Sequence, residues 1–308
     1  SIVFDQRIIT IERVSTMGIS NTNGFSLSRS LQQWMRRHPL FSYFFLAYAI
    51  SWIVFIPYVL AERGVLNGNY NFFYILHVFG PACAAVIVTS IVTGRAGLDE
   101  LRQRIRQLRA PAQWYLFVLL GIPALVMLGI IVQPGAMSSF KGFTTRLLVG
   151  YPFALVAAFL GVGLGEEPGW RGFALPRMQE QYGPLWGTLL LGTLWSFWHL
   201  PDFLTTSKGG GVGISWVALL VNIAIFTVAV IFLSVIMTWL FNHTGGSVFI
   251  AILAHASVDA PEVAGWEALF PAVSMMESHL AILIGFAIPA LLIIILTRGR
   301  LGYQPGPQ

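Results

Sequence analysis

Cysteine is almost missing from this chain. One cysteine, Cys83, in 308 residues excludes a disulfide within the chain and any cysteine-built metal centre. It lies in an apolar run and is expected to be a buried spectator. Charge is nearly as scarce, at 10% of residues, where a soluble domain carries about 25%. So few charges cannot cover a surface that faces water, and a soluble globular class is excluded. An early apolar core with a cleavage site is lacking too. The first forty residues are polar and carry Arg7, Arg13, Arg29, Arg36 and Arg37, so no signal peptide is expected. The stretch Met17–Thr22 (MGISNT) fits a myristoylation pattern but is internal, and Met17 reads equally well as a start. Internal repeats are also absent, which weighs against a transporter built from two matching halves.

Apolar residues are what the chain has in excess, at 56%. They fall into eight runs, at about 41–61, 72–93, 113–133, 147–170, 184–203, 214–241, 247–261 and 279–297. The fold class that follows is all-α, a polytopic membrane protein with about eight transmembrane helices. Three regions are expected: a polar N-terminal segment at 1–40, one transmembrane domain at 41–298, and a short tail at 299–308. The net charge of +5 does not point to nucleic acid, because in a membrane protein the position of basic residues outweighs their sum. Arg95, Arg102, Arg104, Arg106 and Arg109 crowd the 94–112 connection, whereas the 262–278 loop has no Lys or Arg and holds Glu262, Glu267 and Glu277. Basic and less basic connections mostly alternate, so both termini are expected to be cytoplasmic. The 94–112 segment reads either as an amphipathic helix on anionic lipid or as a solvated basic loop. The membrane expected is a bacterial plasma membrane, or the endoplasmic reticulum if the source is eukaryotic.

Ionisable groups at membrane depth are costly and tend to mark function. Four places have them: Glu166, Glu167 and Arg171 in GEEPGWRG; His199 in TLWSFWHLP; His255 and Asp259 in LAHASVDA; and His77 in LHVFGP. If a hairpin turns near Gly183, Glu166 and His199 stand about equally far from its tip, roughly 25 Å at the helical rise per residue. His255 lies about 15 Å beyond the NHTGG turn by the same measure. Three polar groups from three helices then converge on one level, near the cytoplasmic half. Asp259 shares a helix face with His255 at i, i+4.

These residue types suit hydrolysis of a carbonyl bond. A glutamate in a partly wet apolar pocket can act as a general base. A histidine can orient the same water, and a second histidine or protonated acid can donate to an oxyanion. Glu166, His199 and His255 are equally a zinc ligand set with one position left for water, although no cofactor is the primary expectation. Glu167 and Arg171, spaced i, i+4, read as a structural ion pair, and Glu166 has the competing role of a second partner for Arg171. His199 and His255 have a bland alternative as interhelical hydrogen bonds. His77 has no partner near in sequence and reads as structural, and Trp195, Phe197 and Trp198 as packing and pocket wall.

In their order and spacing, EEPGWR, WSFWH with Trp195 in the aromatic place, and HASVD resemble the motifs of the CPBP family: type II CAAX prenyl endopeptidases and bacteriocin-processing enzymes, also called the ABI family. The resemblance covers about residues 145–262. It implies an all-helical intramembrane endopeptidase acting on a membrane-associated or lipidated peptide or protein, in contact with membrane lipid. It implies Glu166 as the base that activates water, His199 as its helper, and His255 with Asp259 as the oxyanion-stabilising pair, with Glu167, Arg171 and Trp195 in support. An ionised Asp259 would repel an oxyanion, so that role requires it protonated or indirect. A non-catalytic immunity or scaffolding protein on the same fold, and a zinc protease using the same residues, are the competing readings.

Overall fold

A computed structural model describes residues 28–209 and 213–305. Most of the polar segment at 1–40, with the Met17–Thr22 stretch, lies outside the described residues, as do the last three positions of the tail. Each of the eight apolar runs is helical. In chain order the helices are α1 (Arg29–Arg37), α2 (Pro39–Glu62), α3 (Asn71–His77), α4 (Gly80–Val92), α5 (Gly94–Ile105), α6 (Ala112–Ile131), α7 (Leu147–Tyr182), α8 (Pro184–Trp198), α9 (Trp216–His243), α10 (Val248–Val263) and α11 (Met275–Leu296). Five of them, α2, α6, α7, α9 and α11, are long and apolar enough to cross a membrane. The pair α3 and α4, bent by 41°, makes a sixth if it counts as one span. The other two of the eight apolar runs fall on α8 and α10, of 15 and 16 residues, so a count of eight requires these short helices to cross as well.

Local chemistry sets several of these boundaries. Ser215 and Ser247 cap α9 and α10 by accepting from Ala218 and Ile250, and Ser274 with Glu277 forms a reciprocal capping box on α11. The turn between α7 and α8 falls at Gly183, whose φ of 80° suits glycine. Proline then opens α8 at its first position, where its missing N–H is not needed.

The long helix α7 is irregular where it matters. Wider π-turns at Phe159–Gly163 and Trp170–Ala174 bracket the α-helical stretch Leu164–Gly169. Pro168 within that stretch cannot donate to a preceding carbonyl, which loosens the ladder there. Glycines on the same stretch let α7 press against α4 and the bend that precedes it. A Cβ on Gly165 would lie 2.6 Å from the Val78 carbonyl oxygen, and one on Gly169 would lie 2.6 Å from that of Pro81. Small residues that permit backbone contact are the usual means of packing helices in lipid. Around this contact sit the largest fully buried side chains, among them Trp170, Trp195, Trp198, Arg171 and Tyr43.

The outer faces remain apolar and exposed, as lipid contact requires, with Phe153, Trp216 and Leu296 more than 70% accessible. Cys83 belongs to this outer face. It is exposed on α4 rather than buried, because α4 turns its other side, Ala84, Ala85 and Val88, toward the core. At one end of the bundle the side chains of Gln107, Ser247 and Asn242 tie together the chain after α5, the turn before α10 and the segment after α11. This is the arginine-rich end. At the other end Thr206 bonds Glu62, and the Lys141 N–H bonds the Leu269 carbonyl.

Gly165→Val is expected to lower the melting temperature of the detergent-solubilised protein by several degrees, an overpacking loss of about 1–3 kcal/mol. Gly150→Ala, where an added Cβ meets nothing within 4 Å, is expected to melt like the wild type. Equal melting of both variants would refute the close contact between α7 and the bend before α4.

Candidate active site

A cavity of about 470 Å³ lies among α3, α6, α7, α8, α9, α10 and α11. Val126, Ile130, Ala158, Val230 and Leu233 give it apolar walls. Glu166, His199, His255 and Asp259 all reach it, as does Trp195. The four expected reactive residues therefore share one space, with Glu167 and Arg171 packed behind it. The cavity extends to Lys208, Glu262 and Trp266, toward the end of the bundle away from the arginines.

Glu166 is buried and held by two indoles. Its Oε2 accepts from Trp170 Nε1 at 2.9 Å and from Trp195 Nε1 at 2.7 Å. Trp170 comes from the next turn of α7 and Trp195 from α8, so one carboxylate oxygen is fixed across two helices. This arrangement, and not a bond to Arg171, is what Glu166 makes. Trp195 is thus a hydrogen-bond donor as well as wall, and Trp170 joins it through its i+4 spacing from Glu166.

Behind the cavity runs a buried ionic network. Arg171 Nη1 donates to Glu167 Oε1 at 2.9 Å, with both side chains fully enclosed. Its Nη2 donates to Ser234 on α9 at 3.2 Å, and its guanidinium lies 4.3 Å from the centroid of a Trp195 ring. Glu167 Oε1 also meets His255 Nδ1 at 2.8 Å. The other ring nitrogen of His255 lies 3.4 Å from Asp259 Oδ2. Both nitrogens of His255 face carboxylates, which only accept when ionised. Each contact therefore calls for a proton, on the ring or on the acid.

Three further groups, Asp202, His77 and Lys208, enter from places the motifs do not reach. His199 ends α8, and its Nδ1 lies 3.4 Å from Asp202 Oδ2, outside good hydrogen-bond geometry. Asp202 Oδ1 lies 3.6 Å from His77 Nε2 on α3. His77 thus has a partner after all, one that is far away in sequence. Asp202 is an acid inside the apolar run 184–203, and that placement is the signal which could have singled it out. Lys208 lines the cavity from the loop after α8. Burial opposes its charge, but Glu262, together with Tyr74, Asp259 and Asp202, outweighs that and keeps the ammonium above its ordinary pKa.

The zinc alternative names Glu166, His199 and His255 as ligands. Among the described residues no three His, Cys, Asp or Glu side chains are arranged to hold a metal. In the expected set, two indole N–H groups engage Glu166 Oε2, and carboxylates face both nitrogens of His255.

Residues 148–261 match the family model described as type II CAAX prenyl endopeptidase Rce1-like. That stretch contains every expected site residue from Glu166 to Asp259, and Asp202, but not His77. The chain is also 25% identical over 217 residues to CAAX prenyl protease 2 of Methanococcus maripaludis, an alignment covering 65% of this chain and 77% of the relative.

Arg171→Met should destabilise the protein by about 3–5 kcal/mol, because it strands a buried carboxylate. The double variant Glu167→Gln with Arg171→Met should recover part of that loss. Thermal unfolding of the purified variants in detergent tests this, and a single variant as stable as wild type would show that the pair carries no such weight.

Proposed function

From the premise that this chain is a CAAX-type protease of the CPBP family, we propose that it hydrolyses a peptide bond of a membrane-associated substrate with a water activated by Glu166. The supporting observation is the doubly anchored carboxylate. With Oε2 fixed by Trp170 and Trp195, the Glu166 side chain is oriented at the wall of an otherwise largely apolar cavity, leaving Oε1 to meet a water. A base held in place needs no reorganisation at the moment of reaction. His199 is the second partner for that water. His255 and Asp259 share the carbonyl oxygen, using the proton that their 3.4 Å approach calls for. No step in this reading passes through a metal, and elemental analysis finding stoichiometric zinc that is lost with His199→Ala would replace it by a metalloprotease.

The apolar walls fit an apolar or lipidated substrate segment, and the relative's name suggests a prenylated C-terminal CAAX sequence as the class to try first. The orientation that goes with this proposal puts the arginine-rich end in the cytoplasm, with α8 and α10 both crossing, in a bacterial plasma membrane.

Glu166→Gln should reduce turnover roughly 10²-fold to 10⁴-fold. The fold should persist, because a glutamine oxygen can still accept from the two indoles. Proteomic comparison of membranes carrying wild type or this variant should reveal an accumulating uncleaved substrate. Full turnover by Glu166→Gln on an identified substrate would remove the assigned base.

Asp259→Asn should keep substantial activity, since asparagine supplies a donor without needing a proton, whereas Asp259→Ala should lose roughly 10²-fold. An asparagine variant as inactive as alanine would instead make Asp259 a carboxylate that only holds His255.

A further inference from the structure

Asp202 is a buried carboxylate between two imidazoles that come from different helices. Oδ2 faces His199 Nδ1 at 3.4 Å and Oδ1 faces His77 Nε2 at 3.6 Å. No Lys or Arg nitrogen lies within 4 Å of it among the described residues.

Both rings are fixed by their surroundings. His77 stacks on Trp198 at 5.4 Å and packs on Phe55 at 4.2 Å between centroids. Its Nδ1 sits 2.5 Å from the Tyr74 carbonyl oxygen, which can only accept, so Nδ1 carries a hydrogen. The Nε2 end is then left for Asp202. Attraction there requires one further proton, on Nε2 or on the acid. His199 is boxed by edge contacts with Trp198 at 4.7 Å and Phe226 at 5.1 Å. Its Nδ1 is enclosed and has no other partner among the described residues, while the residue lines the cavity that also holds Glu166.

We propose that Asp202, braced by His77, is the positioning residue for His199. It takes the Nδ1 hydrogen, so that the Nε2 lone pair is the one presented to the water beside Glu166. A carboxylate on one nitrogen of an imidazole fixes both its tautomer and its orientation, and with the wrong tautomer the same ring is of little use to a reacting water. The 3.4 Å separation is what a resting site often shows before substrate tightens it. Other titratable groups at this cavity are Tyr74 from α3, Glu166 from α7, His255, Asp259 and Glu262 from α10, His279 from α11 and Lys208 from the loop. None of them forms an ion pair with Asp202.

This inference rests on the proposed role of His199 as partner of the reacting water, and its test includes a readout that needs no turnover. In Asp202→Asn the amide N–H can donate to His199 Nδ1 and so invert the tautomer. The expected result is a fall in kcat of roughly 10²-fold to 10⁴-fold with KM little changed and an unaltered melting temperature. In protein labelled with ¹⁵N-histidine, the His199 signals should show Nδ1–H in wild type and Nε2–H in the variant. Asp202→Glu should restore the wild-type pattern in part. His77→Gln, which removes the brace but leaves the carboxylate, should cost about tenfold in kcat, less than a direct loss of general acid–base help. An unchanged His199 tautomer in Asp202→Asn overturns the proposal, and so does a variant whose only defect is a lower melting temperature. If the tautomer inverts but Glu166→Gln remains active, the positioning stands and the assigned base falls.

Discussion

Arg171 and Glu167 bring opposite charges to a place where neither side chain has any exposed surface. Such a pair gains little over apolar packing when complete, but becomes a large liability when half of it is missing. The helices around it are therefore constrained together. Glu167 and Arg171 belong to α7, Ser234 to α9, Trp195 to α8 and His255 to α10, and all of them make a contact with the pair. Glu166, next in the chain to Glu167, inherits this rigidity: its neighbour is locked to one side while two indoles lock it on the other. The charge proposed to do the chemistry and the charge that holds the fold are adjacent residues with opposite facings.

Much of this was legible in the sequence because lipid makes polarity informative. The eight apolar runs all became helices, and the few ionisable residues within them gathered at one cavity, for the reason that each is too costly to leave in hydrocarbon alone. The i, i+4 pairing of Glu167 with Arg171 followed from helical geometry alone. What stayed hidden depended on side chains meeting across helices. Nothing in the spacing of Glu166 shows that Trp170 and Trp195 would both reach the same oxygen. His77 looked unpartnered because its partner, Asp202, lies more than a hundred residues along the chain. The exposure of Cys83 was hidden likewise, since an apolar run does not reveal which of its faces meets lipid.

Two acid–histidine assemblies flank Glu166, built on different plans. On one side Glu167 and Asp259 hold His255 from both of its nitrogens, so that this ring is enclosed by acceptors. On the other, one acid, Asp202, is shared by two rings, His199 and His77. In the proposed mechanism the first plan supplies a hydrogen-bond donor to the carbonyl oxygen. The second leaves one nitrogen of His199 uncommitted at the cavity. An anchored carboxylate between a donor-like and an acceptor-like imidazole is a division of labour suited to adding water across a carbonyl bond.

The π-turns on either side of Leu164–Gly169 bear on how such a helix can vary. A π-turn holds one residue more than an ordinary helical turn, so a one-residue deletion there can be absorbed by its closing to an ordinary turn, with the helix beyond keeping its facing. The same deletion within Leu164–Gly169, where the ladder is already α-helical, would rotate everything beyond it by about 100°. That rotation would part Arg171 from Ser234 and from the α8 indole. Length can therefore change at the two π-turns but not between them, and related chains that keep this chemistry should share an ungapped stretch from Leu164 through Gly169.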